Sequence, residues 1–455
     1  MSGKWKMALK NLARNKNRNF ATGVAISFGF AALLIMGGYY NWSANLLRVF
    51  TIYISKTGHI VIYKKDGVDK YLMKPWKYSL DTSDQDVIKE VVSGIDNVEL
   101  QGGKIFGTGL IGNGCSSFPF MASGVDLGLE KAVMDHPEVE KWMGELKQMV
   151  KGKGRDPYLY PAELNPISVS DGLARLLGKT LVHDEISQAE NGVVTLDCMA
   201  SNIAEKISSD ANVQLVAGAW TGMMSAIDAE IVAQHITGVV ETEDTHLLIS
   251  LSGLQRLYDT PNIASYSVWL KDPGKIRSTI EYMKNRFESA GKHFDVYKWD
   301  DKRASSYYPG AYQFLIVLSS FITTVLLCVI VFSIFNSVTI TTLERSQEIG
   351  MMRSFGYSRM QIRKLFVMEM MLLAVFFIVV GSIIGGLCIY LINSSKIPYN
   401  SPGFTIQMWL RLKPDIWISA LSVILLFVLV SITTFVAVRA VTNNNIRELL
   451  TKAER

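Results

Sequence analysis

The sequence predicts an α-helical membrane protein with four transmembrane helices and an α+β extracytoplasmic domain inserted between helices 1 and 2. Three observations carry this: four long blocks without charge, an uneven placement of Lys and Arg, and β-forming segments confined to one stretch. Of the 455 residues 49% are apolar, and no Asp, Glu, Lys or Arg occurs in 19–47, 304–343, 370–395 or 416–438. Each block holds at least about twenty mostly apolar residues, enough for a helix to cross roughly 30 Å of hydrocarbon. The spans are placed at 20–42, 307–341, 365–393 and 415–438. A cleaved secretory signal is the rival for the first block. Its apolar stretch, Phe20 to Tyr40, exceeds the roughly 7–15 residues of a signal core, and no clear A-x-A site follows.

Charge sets the expected orientation. Lys4, Lys6, Lys10, Arg14, Lys16 and Arg18 precede span one without an acid; Arg345, Arg353, Arg359, Arg363 and Lys364 follow span two; Arg439, Arg447, Lys452 and Arg455 close the chain. By the positive-inside rule the segments 1–19, 342–364 and 439–455 face the cytoplasm, so both termini are inside. The domain at 43–306 and the short loop at 394–414 then lie outside. Between residues 48 and 303 there are 28 Lys and Arg against 35 Asp and Glu, so the net +5 of the chain is a topology signal and not a nucleic-acid footprint. Tyr39, Tyr40 and Trp42, Tyr307, Tyr308 and Tyr312, and Trp409 and Trp417 form an aromatic belt at the outer interface.

In the outer segment, His59–Tyr63 and the glycine-punctuated stretch Val98–Val125 are rich in β-formers and bounded by turns. Apolar residues recur at helical spacing from Leu127 to Val150, and Lys151–Pro157 breaks the pattern as a surface loop. Then come a short helix at Asp171–Leu177, strands at Gly192–Cys198 and Val213–Ala217, a helix at Leu251–Tyr258, and strand, helix, strand at Ser265–Leu270, Gly274–Ala290 and Phe294–Trp299. Two lobes are expected, with about 128–260 inserted into the first. Cys115 and Cys198 both fall in this compartment, where a disulfide between them is open; Cys328 and Cys388 lie in spans two and three as small packing residues.

Catalytic signatures are missing. Gly172-Leu-Ala-Arg-Leu-Leu-Gly178-Lys179-Thr180 imitates a phosphate-binding loop, but five residues separate its glycines where the phosphate cradle needs four; a helix ending at Gly178 explains it better. The six histidines, His59, His136, His183, His235, His246 and His293, show no helical metal spacing. No G-x-S-x-G elbow occurs, so no catalytic, cofactor or metal residue is assigned.

Two segments remain. Trp5, Ala8, Leu9 and Leu12 follow the i, i+3, i+4, i+7 pattern with Lys6, Lys10 and Arg14 opposite, which fits a basic amphipathic helix on membrane lipids or a plain charged anchor. Between spans two and three, Gly356 suits the left-handed residue that ends a helix, and Ser358 with Gln361 fits the capping box that starts the next. A short helix results, with Ile349, Met352 and Phe355 on its apolar side and Glu344, Arg345, Glu348 and Arg353 as charge partners. By composition alone it is a solvated connector.

The run Glu344-Arg345-x-x-Glu348-Ile349-Gly350-Met-x-Arg353-x-x-Gly356 resembles the signature of the MacB/FtsX-like permeases, the type VII ABC transporter subunits. The order of parts is similar: Asn11-Leu12-x-Arg14-Asn15-Lys16 before span one, a large ectodomain, then three clustered spans. Gly172-Leu-Ala-x-x-Leu176 with Val182 and Asp184 resembles the family's periplasmic core domain. The resemblance implies a bacterial inner-membrane permease with no cofactor of its own, seated on a cytoplasmic ATPase dimer that binds ATP and Mg and paired with a second permease chain. Carried over by position, Glu344, Arg345, Glu348, Ile349, Gly350, Met352, Arg353 and Gly356 couple it to that ATPase. The start of the chain, about twenty residues before span one, is similar to the split, lipoprotein-releasing (LolC/LolE-like) branch rather than to MacB-type chains with a fused ATPase. Expected partners are therefore a lipoprotein cargo and a periplasmic carrier or adaptor. The rivals are tripartite efflux of a small molecule or peptide and FtsX-like regulation of a cell-wall hydrolase. Asn443-Asn-Asn445 replaces the proline common in the family's tail, which weakens the tail's expected ATPase contact.

Overall fold

Apolar runs too long for a globular core fold into four helices in the computed structural model, which describes residues 16–144, 152–154, 165–179, 197–305, 307–400 and 407–443. The amphipathic segment carrying Trp5, Leu9, Leu12 and Arg14 and the tail beyond residue 443 lie outside the described residues. Two compact units result, one of residues 1–44, 313–398 and 409–455 and one of 45–312 with 399–408.

Helix α1 (Lys16–Val49) continues into a π-helical turn, Phe50–Ile54, well past the expected end at 42. The reason is burial: Leu46, Val49, Phe50 and Ile52 remain apolar and are covered by protein, so nothing favours breaking the helical hydrogen bonds. There follow β1 (Ile60–Lys64), α2 (Gly67–Lys70), α3 (Pro75–Tyr78), α4 (Thr82–Ser93), β2 (Val98–Gly112), β3 (Ser117–Val125), α5 (Leu127–Met134), α6 (Pro137–Met143), β4 (Lys153–Gly154), β5 (Pro166–Ser170), α7 (Asp171–Leu177), α8 (Ile203–Ser209), β6 (Asn212–Gly218), β7 (Met224–His235), β8 (His246–Ser250), α9 (Leu251–Tyr258), β9 (Ser265–Leu270), α10 (Ile276–Ser289) and β10 (Phe294–Lys298). The span unit then adds α11 (Tyr307–Glu344), α12 (Ser346–Ser354), α13 (Arg359–Ser394) and α14 (Ile416–Thr442).

One sheet of the order β10-β1-β9-β2-β3-β8-β5-β7-β4, with β6 on β2 and β7, runs through the inter-span domain. Its spine is β2: the first half pairs with β9 from Val98↔Leu270 to Lys104↔Ser265, and the second half pairs with β3 from Lys104↔Val125 to Gly112↔Ser117. Two lobes share this strand. The first packs α4 and α10 on its sheet through buried Ile88, Val92, Met283 and Phe287. The second buries Ile105, Phe120, Ile167, Leu173, Ile231, Leu247 and Leu257 around α7 and α9. Its core therefore begins at Ile105 and not near 128, because a fifteen-residue strand is long enough to serve both lobes.

Asp171–Leu177 and Leu251–Tyr258 are helices as expected, and Gly178 ends the former at φ +69°. The expected loop at 151–157 instead contributes β4, whose Lys153 and Gly154 pair with Gln234 and Ala233. The expected strand at 192–198 lies mostly outside the described residues; Cys198 sits in a turn. Cys115 and Cys198 are joined as a disulfide. Asn113 prepares that position, its Oδ1 accepting from the backbone N–H of Cys115 (2.9 Å) and Ser116 (2.7 Å). Helices α5 and α6 return to the residues following the first span: Arg48 pairs with Glu138 (2.6 Å), Lys56 with Glu130 (3.0 Å), and the His136 ring stacks on Tyr53 at 4.5 Å.

Among the spans, small residues set the approach of α1 to α13. A Cβ on Gly381 would lie 2.6 Å from the Ser27 carbonyl, and one on Gly385 would lie 3.2 Å from Ala31 Cα. Without a hydrophobic drive in lipid, such backbone proximity and the Ser27 hydroxyl donating to the Phe377 carbonyl (2.9 Å) hold the pair. Asn41 and Asn393 donate to the carbonyls of Lys413 and Leu412, fixing the segment that leads into α14.

In the second lobe, His235 and His246 face one another (Nε2 to Nδ1, 2.9 Å), while Ser168 meets the other nitrogen of His235 (2.8 Å) and Ser123 that of His246 (3.1 Å). Two imidazolium rings cannot both donate across the shared contact. Burial pushes His246 down to about 4 and His235 well below its usual 6.5. Since the unfolded rings take up protons near 6.5, this arrangement stabilises the lobe above that pH and loses its contribution as the pH falls toward 4. Thermal melts between pH 7.5 and 4.5 are expected to show a falling Tm, and His235→Gln with His246→Gln is expected to flatten that slope.

Candidate coupling site between spans two and three

Arg345 stands where α11 ends and α12 begins, and only 8% of it is exposed. A guanidinium removed from water must find acceptors. Its Nε donates to Glu348 Oε2 at 2.9 Å, its Nη1 donates to Glu369 Oε2 at 2.8 Å, and its plane lies 4.9 Å from the Phe366 ring. Glu369 and Phe366 belong to α13, so one side chain binds three consecutive helices. Glu369 is itself buried at 7% exposure, an acid that a membrane-spanning helix retains only with a partner.

The rest of α12 follows from this anchor. Ile349 is fully buried against Ile362 and Phe366, Met352 packs beside them, and Gly350 is enclosed. Met351, Phe355, Tyr357 and Met360 are exposed, Phe355 at 83%. Gly356 has φ +90°, with no atom within 4 Å of where a Cβ would stand, so backbone conformation and not space calls for glycine. The Tyr357 N–H donates to the Met352 carbonyl at 3.1 Å, closing the helix end. Ser358 then starts α13 with the expected capping box: the Gln361 N–H donates to Ser358 Oγ (3.3 Å) and the Ser358 N–H to Gln361 Oε1 (2.8 Å). Arg363 fastens this helix to the end of α14, donating to Thr442 Oγ1 (3.0 Å) and Asn443 Oδ1 (2.8 Å).

The eight residues singled out from sequence thus divide. Arg345, Ile349, Gly350 and Met352 face inward and hold the helix; Glu344 is exposed; Glu348 and Arg353 are intermediate; Gly356 forms the turn. The apolar side is also divided, because Ile349 and Met352 are spent on the span core and Phe355 alone of the three stands out, joined by Met351, Tyr357 and Met360. Glu369 and Phe366 escaped the sequence reading, and Arg363 entered it only as a topology charge. Glu369 sits one residue before the charge-free block 370–395, and a lone acid there asks for a basic partner. Among the described residues no group of three or more His, Cys, Asp or Glu could hold a metal.

The described residues thus hold four helices long and apolar enough to cross a membrane, with a short helix clamped between the second and the third. Residues 320–446, which include most of α11 and all of α12, α13 and α14, match the family of the FtsX-like permease C-terminal domain. No curated protein matches the chain in sequence. Solved structures similar to parts of it include the following two. One is the extracellular domain of the noncanonic ABC-type transporter YknZ from Gram-positive bacteria, with a TM-score of 0.28 and 12% identity over 47% of this chain and 88% of that one. The other is the periplasmic region of MacB from Actinobacillus actinomycetemcomitans, with a TM-score of 0.30 and 11% identity over 55% of this chain and 94% of that one.

Removing one partner of a buried ion pair strands the other, at about 3–5 kcal/mol. Arg345→Ala is expected to lower the Tm of the purified chain strongly, while Arg345→Met with Glu369→Met is expected to recover most of the loss in a double-mutant cycle.

Proposed function

We propose that this chain transmits the work of a separate cytoplasmic ATPase dimer, which supplies the ATP and Mg sites, through α12 to the spans and the inter-span domain. The observation that carries the reading is the two-sided burial of α12: its inner side is locked to α13 by Arg345, Glu369 and Ile349, and its outer tip shows Met351, Phe355 and Tyr357 to solvent. Large exposed apolar side chains on a clamped helix suit insertion into a groove of another protein. Glu344, Glu348 and Arg353 then ring the contact as charge partners. Because α11, α12 and α13 are tied at one guanidinium, a displacement of the tip is passed to two spans at once, and Arg363 extends it to α14.

In this reading the chain lies in the bacterial inner membrane with both termini in the cytoplasm, supported by the Lys and Arg bias of its short segments. It pairs with a second permease chain. Its cargo is a lipoprotein, extracted from the inner membrane and handed to a periplasmic carrier. Support for the cargo comes from the resemblance of the Glu344–Gly356 and Gly172–Leu176 runs to the MacB/FtsX-like family, of which the lipoprotein-releasing permeases are one branch. Co-purification of a lipidated protein with a soluble carrier agrees with it, and co-purification of an adaptor with an outer-membrane channel favours efflux.

Met351→Ser with Phe355→Ser is expected to abolish co-purification of the ATPase and its stimulated hydrolysis while leaving the Tm of the permease within about 2 °C. Glu348→Lys with Arg353→Glu is expected to act in the same direction. Unchanged hydrolysis and co-purification in both would overturn the coupling role.

A further inference from the structure

The chain from Lys64 to Tyr78 departs from its surroundings in charge. It carries five lysines and two aspartates inside a domain where acids outnumber bases. Lys64 is bound to Asp81 and Asp84, and Lys70 to Asp66. Lys65, Lys74 and Lys77 remain exposed, and among the described residues no carboxylate pairs with them.

Between these lysines stand Leu72, Met73 and Trp76, exposed at 77%, 73% and 58%. The backbone that displays them is pinned. The Asp66 N–H donates to Asp295 Oδ2 (2.8 Å), Gly67 is buried under Tyr63 and Tyr78, and the Tyr71 hydroxyl donates to the Phe106 carbonyl (2.8 Å). Exposed apolar side chains on a pinned backbone carry a low ordering cost on binding.

A second element adds to the same surface. The Tyr71 ring lies 6.1 Å from Trp220, at the β6–β7 turn, and Trp220 is held by the Tyr258 carbonyl (3.0 Å). That turn exposes Met223 and Met224 at 71% and 74%. Loop and turn come from the two lobes and meet at their seam. Adaptable methionines beside a rigid tryptophan form a surface suited to an apolar ridge, and one this concentrated is uncommon on a face that meets only water.

Ile60 pairs with Lys298, so β1 enters and β10 leaves at one end, where the chain connects to α1 and α11. The lysine-rich loop leaves β1 at the other end, a strand length of about 13 Å away. The exposed Lys65, Lys74 and Lys77 around the apolar side chains call for an acidic partner.

We propose that Leu72, Met73, Trp76, Trp220, Met223 and Met224, rimmed by Lys65, Lys74 and Lys77, form a docking surface for a soluble acidic polypeptide that presents an apolar ridge between Asp or Glu side chains. This goes beyond the coupling role and does not depend on it, since neither ATP nor the ATPase enters the test.

The probe is a fluorescein-labelled synthetic helix with Leu and Phe at i, i+3, i+4 and i+7 and Glu elsewhere, titrated into the full chain in phosphatidylcholine nanodiscs. Controls are the same helix with Lys for Glu, and phosphatidylglycerol vesicles. The expected result is saturable binding of the acidic helix, weakened at least tenfold by Leu72→Ser with Trp76→Ser, at least fivefold by Lys74→Glu with Lys77→Glu, and also by salt. The Tm is unchanged because the altered side chains are exposed. Absence of binding, equal binding of the lysine helix, preference for the vesicles, or indifference to the Lys74→Glu/Lys77→Glu variant would each overturn the proposal.

Discussion

A single buried guanidinium orders the cytoplasm-facing arrangement proposed for this protein. Arg345 leaves water only because Glu348 and Glu369 accept its hydrogen bonds and Phe366 covers its face, and these groups come from α12 and α13. With that contact made, the rotation of α12 is no longer free. Ile349 has to enter the core of the spans, and the residues a half-turn away, Met351 and Phe355, have to leave it. The exposed tip is therefore a consequence of an ion pair, and the close junction that follows it rests on the left-handed Gly356 and the Ser358–Gln361 cap.

Similar economy governs the remaining spans. Gly381 and Gly385 let α13 approach α1 to backbone contact, and hydroxyl and amide groups (Ser27, Asn41, Asn393) satisfy carbonyls that lipid cannot. In the inter-span domain the corresponding constraint is β2. A strand that pairs with β9 along one half and β3 along the other makes two lobes share one backbone, with Lys56–Glu130 and Arg48–Glu138 tying α5 and α6 to the residues that follow the first span.

Much of this was legible in the residues. Charge-free blocks gave the spans, because the cost of burying charge in hydrocarbon is large and leaves a one-dimensional trace. Gly356, Ser358 and Gln361 gave the turn and cap, because capping chemistry is local. Helix Leu251–Tyr258 and strand Ser265–Leu270 were read at their observed bounds. Long-range facts were harder. Glu369 lies 24 residues from Arg345, and no spacing rule joins them. Which side of α12 faces the spans was equally hidden, so Ile349 and Met352 were read together with Phe355 as one apolar side, which the fold divides. Strand β7 was missed although Ile227, Ala229 and Ile231 alternate with Asp228 and Glu230, a period-two signal in plain view. The disulfide was open until the fold brought Cys115 and Cys198, 83 residues apart, to a Cα separation of 5.6 Å.

The central claim is that the tip of α12 is the contact through which an ATPase acts. Cysteine placed at 355, in a chain whose Cys328 and Cys388 are replaced by Ser, tests it by bifunctional crosslinking to the co-expressed ATPase. The account predicts a crosslink at 355 and 351, absent at 349, whose yield changes on adding ATP. An intact complex that crosslinks at none of these positions, or at 349 as readily as at 355, would contradict it.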